Sequence, residues 1–300
     1  MDNVLQTLQR DGYVVIEDFF CPEGIMDSLK ENLMQLNPDL RKSWTKYNLP
    51  LQAHLGMFQR LCSNFPALWQ LRHNKALADV FRYLYGTQQS APLISSIDAF
   101  TLLPPGEYPD TQWIHTDQTI CGLDRSIQSQ LVVSRSPTCY FEVCPRSHIL
   151  HDSIIERYCL QPNSIFFKIP KEDYSTLKAQ VEQLGGAWQV KVNPPPGSLI
   201  LWYSSTLHAS RFGKGAPDDP WRCSVYISMH PEEDTYMRGD LSEIILNNGS
   251  TYHWGDTVIP LPRYYRDSDY NPNIARLMRH PKLVYNLIGY QPSPNAYLIC

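Results

Sequence analysis

GSLILWYSSTLHAS, Gly197–Ser210, decides the fold. After Ser198 its first half, SLILWY, is an unbroken run of large apolar residues, too short for a helix and rich enough in aliphatic and aromatic side chains to be a buried strand. The preceding NPPPG is a rigid turn that fixes where the strand begins. Its second half leaves that strand through Ser204 and Ser205 and arrives at a histidine, His208. Outward from here the same grammar repeats. LISSIDAFTLL (Leu93–Leu103), TQWIH (Thr111–His115), SQLVVS (Ser129–Ser134), CYFEV (Cys139–Val143), SIFFKI (Ser164–Ile169) and RCSVYISM (Arg222–Met229) are short β-rich runs parted by Pro, Gly, Ser and Asp. Such a series predicts antiparallel sheets rather than a βαβ layout.

Helical patterns flank and interrupt the strands. An amphipathic run starts at Asp2, the strand YVVIEDFF follows at Tyr13–Phe20, and Pro22 opens a periodic stretch through Leu36. Leu68, Leu71, Leu77, Val80, Phe81 and Leu84 predict one helix from about Pro66 to Tyr85, with Gly86 as its stop. An inserted helix is expected at Tyr174–Leu184, and another around Asn273–Arg279. With no repeat, low-complexity segment or clean boundary, the chain reads as a single domain over 1–300. Residues 1–90 supply N-terminal helices and a strand, about 91–230 the sheet core, and 231–300 a C-terminal extension of no assigned role.

Composition narrows the function classes. The 300 residues are 43% apolar and 19% charged, enough for a full core and unlike a disordered chain. There is no eighteen-residue apolar run, and MDNVLQTLQRDG lacks the basic and apolar regions of a signal peptide, so neither a membrane span nor secretion is expected. A net charge of −4 gives no general attraction to nucleic acid or anionic lipid. Eight scattered cysteines without a CxxC pair read as reduced thiols in a cytoplasmic protein.

Chemistry concentrates at His115-Thr116-Asp117. Residues two apart in a strand share a face, so His115 and Asp117 can converge on one ion. About one such triplet is expected by chance in this composition, and the chain has a second, His230-Pro231-Glu232. The second runs into Glu233 and Asp234 and reads as a solvated acidic turn. The first has a partner in His208. Two imidazoles and one carboxylate from separate strands make a facial triad with three open positions, the arrangement suited to Fe(II), a bidentate cosubstrate and dioxygen. Arg222 opens RCSVYISM and shares a face with Ser224 and Tyr226, which suits a buried anion anchor. An edge arginine paired to a surface carboxylate is the plain structural reading of Arg222, and Arg211, three residues after His208, is the weaker candidate for the anchor.

The blocks DGYVVIEDFFCPEGI, HTD at His115, CPRSH at Cys144–His148, GSLILWYSSTLHAS and RCSVYISM occur in the order found in phytanoyl-CoA dioxygenase-like Fe(II)/2-oxoglutarate-dependent oxygenases, which this sequence resembles from about Leu8 to Met229. The resemblance implies a mainly β fold, a double-stranded β-helix or jelly-roll, cupin-like core with flanking helices. It implies iron on His115, Asp117 and His208, with 2-oxoglutarate and dioxygen as cosubstrates. The distal carboxylate of 2-oxoglutarate would pair with Arg222 and be supported by Ser210. Arg146 stands where the family's PGSH block has glycine. Retention of Asp117 favours hydroxylation, desaturation or demethylation over halogenation.

Gln130, a polar residue in an apolar strand, is the best further candidate for the cosubstrate. Trp113, Gln118, Tyr140, Trp202 and Tyr226 could line the cavity or simply fill the core. The expected activity is a dioxygenase acting on a small molecule, with release of succinate and CO2. Its rivals are a catalytically silent jelly-roll binding protein and a cupin-like metal enzyme without the cosubstrate, for which Arg222 would have no use.

Overall fold

A computed structural model describes residues 1–42, 44, 56–106, 113–120, 126–161, 166–216, 218–237, 239–253, 257–260 and 272–300. The chain forms two compact units, Met1–Phe20 with Pro105–Arg222, and Cys21–Pro104 with Cys223–Cys300.

The first unit is built on two antiparallel sheets. In one, Leu199–Tyr203 lies between two partners, pairing Tyr13–Ile16 on one side (Tyr13↔Trp202) and Ile127–Ser134 on the other (Trp202↔Gln128). Burial of Leu199 through Trp202 explains why the strand is apolar without alternation. The other sheet runs Phe167–Lys168, His115–Thr116, His208–Arg211, Tyr140–Val143, Val190–Val192. Ring contacts of Trp202 with Phe141 (4.7 Å) and His208 (5.4 Å) join the facing sides of the two sheets. The expected strand Thr111–His115 is seen only at its end, because Thr111 and Gln112 lie outside the described residues, as do Ser164 and Ile165 of SIFFKI.

The outer side of the second sheet is covered. Ile114, Cys144, Ile154, Ile169, Leu177, Leu207 and Ala209 form one apolar cluster, with Tyr174 and Trp188 packed against it. The expected insertion is the helix Tyr174–Gln183, which buries Leu177 and Val181. Its Tyr174 hydroxyl accepts the Ile114 N–H at 3.1 Å, tying the insertion to the segment that carries His115. Arg146 takes a left-handed φ of 68°, which accounts for glycine at this place in the block it resembles. The cost of that conformation, about 1–2 kcal/mol, is offset by hydrogen bonds from Arg146 Nη1 to the Leu184 carbonyl (2.6 Å) and from its N–H to the Asp11 carbonyl (2.8 Å).

Helix Asp2–Asp11 ends at Gly12, whose φ is 78°. A Cβ there would lie 2.4 Å from His148 Nδ1 and 2.7 Å from Thr206 Oγ1. The Gly12 carbonyl accepts from the Tyr203 N–H (3.0 Å) and the Thr206 hydroxyl (2.9 Å), pinning the turn that leads to His208.

In the second unit the single helix expected over Pro66–Tyr85 is two, Pro66–Arg72 and Lys75–Tyr85. Asn74 interrupts it by acting as an N-cap, its side chain accepting the Leu77 N–H. The run Leu93–Leu103 is likewise two strands, Leu93–Ser95 and Phe100–Leu103, and RCSVYISM divides into Arg222–Tyr226 and Met229–Pro231. Leu93–Ser95 is flanked by Met229–Pro231 and by Leu298–Ile299, so the end of the C-terminal extension completes a three-stranded sheet. The helix expected around Asn273–Arg279 is Pro272–Arg279. Cys21, Cys62, Cys139, Cys144, Cys159, Cys223 and Cys300 are free thiols, and Cys121 lies outside the described residues. No described helix is long and apolar enough to cross a membrane.

Candidate metal centre

His115 and His208 are direct partners across the antiparallel pair His115–Thr116 and His208–Arg211. Pairing at one register position puts both imidazoles on the same side of the sheet, with ring centroids 4.3 Å apart. Asp117 follows two residues after His115, and its N–H donates to the Ser204 carbonyl at 3.0 Å, just past the end of SLILWY. The second half of the Gly197–Ser210 stretch therefore builds this corner at two points, Ser204 and His208. The side-chain donors of His115, Asp117 and His208 lie within 4.8 Å of one another, the only three-donor group of this kind among the described residues.

Each ring is oriented by its own backbone. His115 Nδ1 is 3.1 Å from the Trp113 carbonyl and His208 Nδ1 is 2.8 Å from the Thr206 carbonyl. A carbonyl only accepts, so both Nδ1 atoms carry a proton, and Nε2 is the atom that each ring turns toward the carboxylate. His115 Nε2 is 3.4 Å from Asp117 Oδ1, and His208 Nε2 is 3.4 Å from Asp117 Oδ2. These separations exceed the roughly 2.7–2.9 Å of a charge-assisted hydrogen bond. They approach the spacing of about 3 Å between neighbouring donors that each sit about 2.1 Å from one ion. All three residues are at most 5% exposed, so the carboxylate between the two rings has little water to solvate it, which favours a cation here. The donor set and its spacing thus fit a divalent transition metal.

Around the triad, Trp113 stacks on His115 (4.1 Å between centroids, 10° between planes), and its indole N–H donates to the Ser210 carbonyl. Phe141 and Trp202 flank His208. Gln128 donates from Nε2 to Asp117 Oδ2 at 3.0 Å. Sequence reasoning missed Gln128, although it sits two residues before Gln130 and shares its face of the strand.

Arg222 is 2% exposed. Its Nη2 reaches Ser210 Oγ at 3.5 Å and its guanidinium lies over the Phe212 ring at 5.5 Å, while Nη1 has no hydrogen-bond partner among the described residues. Ser210 lies two residues beyond His208 on the same side of its strand, opposite Phe141. A buried guanidinium with an unused N–H fits an anion placed next to it. Arg211 points the other way, its Nε 3.6 Å from Oε2 of buried Glu142, which also accepts from Gln189 at 2.9 Å.

The remaining candidates divide. Gln130 is buried on the inner face opposite Ile200. Trp202 is also inward, with an indole N–H that has no partner among the described residues. Gln118 is a structural bridge, accepting from Ser204 Oγ (2.7 Å) and donating to the Ile120 carbonyl (3.0 Å). Tyr140 pairs with Arg211 across the strands and carries Lys191 Nζ over its ring at 4.5 Å. Tyr226 belongs to the second unit, where its hydroxyl is 3.1 Å from Thr101 Oγ1.

The expected solvated turn at His230 needs correcting. His230 is 2% exposed, with its ring 4.8 Å from Tyr85 and its Nδ1 3.2 Å from Thr235 Oγ1, and only the following Glu232–Asp234 turn is free of buried residues. It is a core histidine.

No protein-family model matches the sequence, and no curated protein matches it. Solved structures do. AviO1 from Streptomyces viridochromogenes Tue57 is 15% identical over 77% of this chain and 94% of its own, with a TM-score of 0.50. EctD from S. alaskensis, solved with 2-oxoglutarate and 5-hydroxyectoine, is 17% identical over 77% of this chain and 76% of its own, at 0.51. EvdMO1 is 15% identical over 77% and 50%, at 0.52. At these identities the likeness is one of fold. The chain has the jelly-roll fold of the Fe/2-oxoglutarate-dependent oxygenases, the family that its sequence blocks resemble.

Proposed function

We propose that the protein is an Fe(II)/2-oxoglutarate-dependent dioxygenase that hydroxylates a small molecule and releases succinate and CO2. The observation that carries this reading is the buried triad His115, Asp117 and His208, next to a buried arginine with an unused donor. Iron bound there supplies the oxidising chemistry, with 2-oxoglutarate and dioxygen as the other reactants.

The chain's own residues do the rest. His115 and His208 present Nε2 lone pairs whose direction is set by the Trp113 and Thr206 carbonyls. Asp117 adds the negative charge that binds a divalent ion in a site of low dielectric. Arg222, with Ser210 beside it, clamps the distal carboxylate of 2-oxoglutarate, and Gln130 contributes a polar contact from the facing sheet. Trp113, Phe141 and Trp202 surround the two histidines with aromatic surface that keeps water away.

A small-molecule substrate is supported by EctD, whose structure with 5-hydroxyectoine shows this fold around a compact organic ligand. The reading includes a cytoplasmic location, where thiols stay reduced. The test is succinate formation from 2-oxoglutarate by Fe(II)-loaded protein across a small-molecule library, scored together with a mass change in the library compound. A chain that binds Fe(II) and 2-oxoglutarate yet forms no succinate with any compound would support the silent binding protein instead.

A further inference from the structure

Asp117 presents a choice that the two histidines do not settle. Its oxygens face different rings at the same 3.4 Å, so the imidazoles alone let the carboxylate offer an ion either oxygen or both. The terminal torsion of an aspartate is broad and roughly two-fold, so it does not choose either. Gln128 reaches the carboxylate directly, its Nε2 donating to Oδ2 at 3.0 Å. Gln128 is itself rigidly held. It is fully buried in the strand Ile127–Ser134, directly opposite Trp202 of Leu199–Tyr203. An amide is also the right chemistry for the task. It donates without charge, so Asp117 keeps its negative charge for a metal, whereas a lysine or arginine in the same place would neutralise it.

We propose that Gln128 is a positioning residue that holds the Asp117 carboxylate through Oδ2 and so sets how Asp117 would meet a metal. The proposal rests on the iron-site reading above and adds to it the residue that sets how Asp117 coordinates.

The test is Co(II) binding to metal-free wild type and to Gln128→Met, which keeps the length and removes the donor, followed by visible absorption under anaerobic conditions. Partners that orient metal ligands typically contribute about 10–100-fold in affinity. We expect wild type to take up one Co(II) per chain. We expect the variant to bind about tenfold more weakly or worse, with altered band positions and intensities because the oxygen donation from Asp117 changes. Circular dichroism reports folding, and if the Met variant does not fold, Gln128→Ser, which leaves room for a water, is put through the same titration. Affinity within about twofold of wild type and superimposable spectra would overturn the role of Gln128 and leave the iron site standing. Absence of Co(II) uptake by wild type would overturn both.

Discussion

Replacing Arg222 by alanine separates the functional reading from a structural one. In the folded protein the guanidinium is 2% exposed, holds Ser210 Oγ only at 3.5 Å and leaves Nη1 without a partner among the described residues. A charge so placed is poorly compensated until an anion arrives, and truncating one partner of a buried, hydrogen-bonded charge pair costs about 2–5 kcal/mol. Affinity for 2-oxoglutarate should therefore fall by about thirtyfold at the least, and by as much as a few thousandfold. Stability of the ligand-free protein should change little, because no strong partner is stranded. Arg211→Ala should do the opposite. It removes the cation beside buried Glu142, leaving that carboxylate its Gln189 hydrogen bond, and should cost up to about 3 kcal/mol of stability while leaving 2-oxoglutarate affinity near wild type. The assay is calorimetric titration of 2-oxoglutarate into Co(II)-loaded wild type and both variants, alongside urea unfolding of the metal-free proteins. Wild-type affinity in a folded Arg222→Ala protein would refute the anchor, and a large loss in Arg211→Ala alone would move it.

Other outcomes follow from single residues. Burial holds His151 at a pKa of about 4 against an ordinary 6.5, with Asp152 and the Ile120 backbone opposing only in part. The unfolded chain then binds more protons between those values, so stability is full above about pH 6.5 and falls as the pH drops toward 4, by about 3 kcal/mol. His151→Leu should flatten that part of the pH dependence in urea unfolding of metal-free protein, and an unchanged slope would refute it. His230→Ala should lower the melting temperature through lost packing while leaving metal stoichiometry at wild type, and loss of metal by a folded variant would make His230 a ligand. Gly12→Ala forces a Cβ against His148 and Thr206 at positive φ and should destabilise by at least about 1 kcal/mol, read as a shift in the urea midpoint. A neutral result would mean that the turn relaxes.

Much of the sheet and of the candidate site was legible because both rest on short-range pattern. Continuous apolarity marked Leu199–Tyr203 as a buried strand, and the two-residue spacing put His115 and Asp117 on one face. What stayed hidden depends on partners distant in sequence. Asn74 splits a helix whose apolar period continues through it, because capping competes with propagation over a single residue. His230 was misread because the charge of its neighbours describes the turn after it, while its own burial is decided by Tyr85 and by the strand Leu93–Ser95. Gln128 carries no signal apart from its neighbour Gln130, since its contact to Asp117 crosses between the two sheets. The different settings of Arg211 and Arg222 depend on Glu142, which a sequence pattern cannot pair with either.

The most direct measurement is anaerobic Fe(II) and 2-oxoglutarate binding by the wild-type chain and by His115→Ala, Asp117→Ala and His208→Ala, with folding checked on each and succinate measured after oxygen is admitted. We expect one Fe(II) per wild-type chain and succinate formation dependent on 2-oxoglutarate. Each folded variant should lose both the iron and the turnover. Wild-type iron occupancy and succinate yield in the folded His115→Ala and His208→Ala proteins would contradict the assignment of the triad.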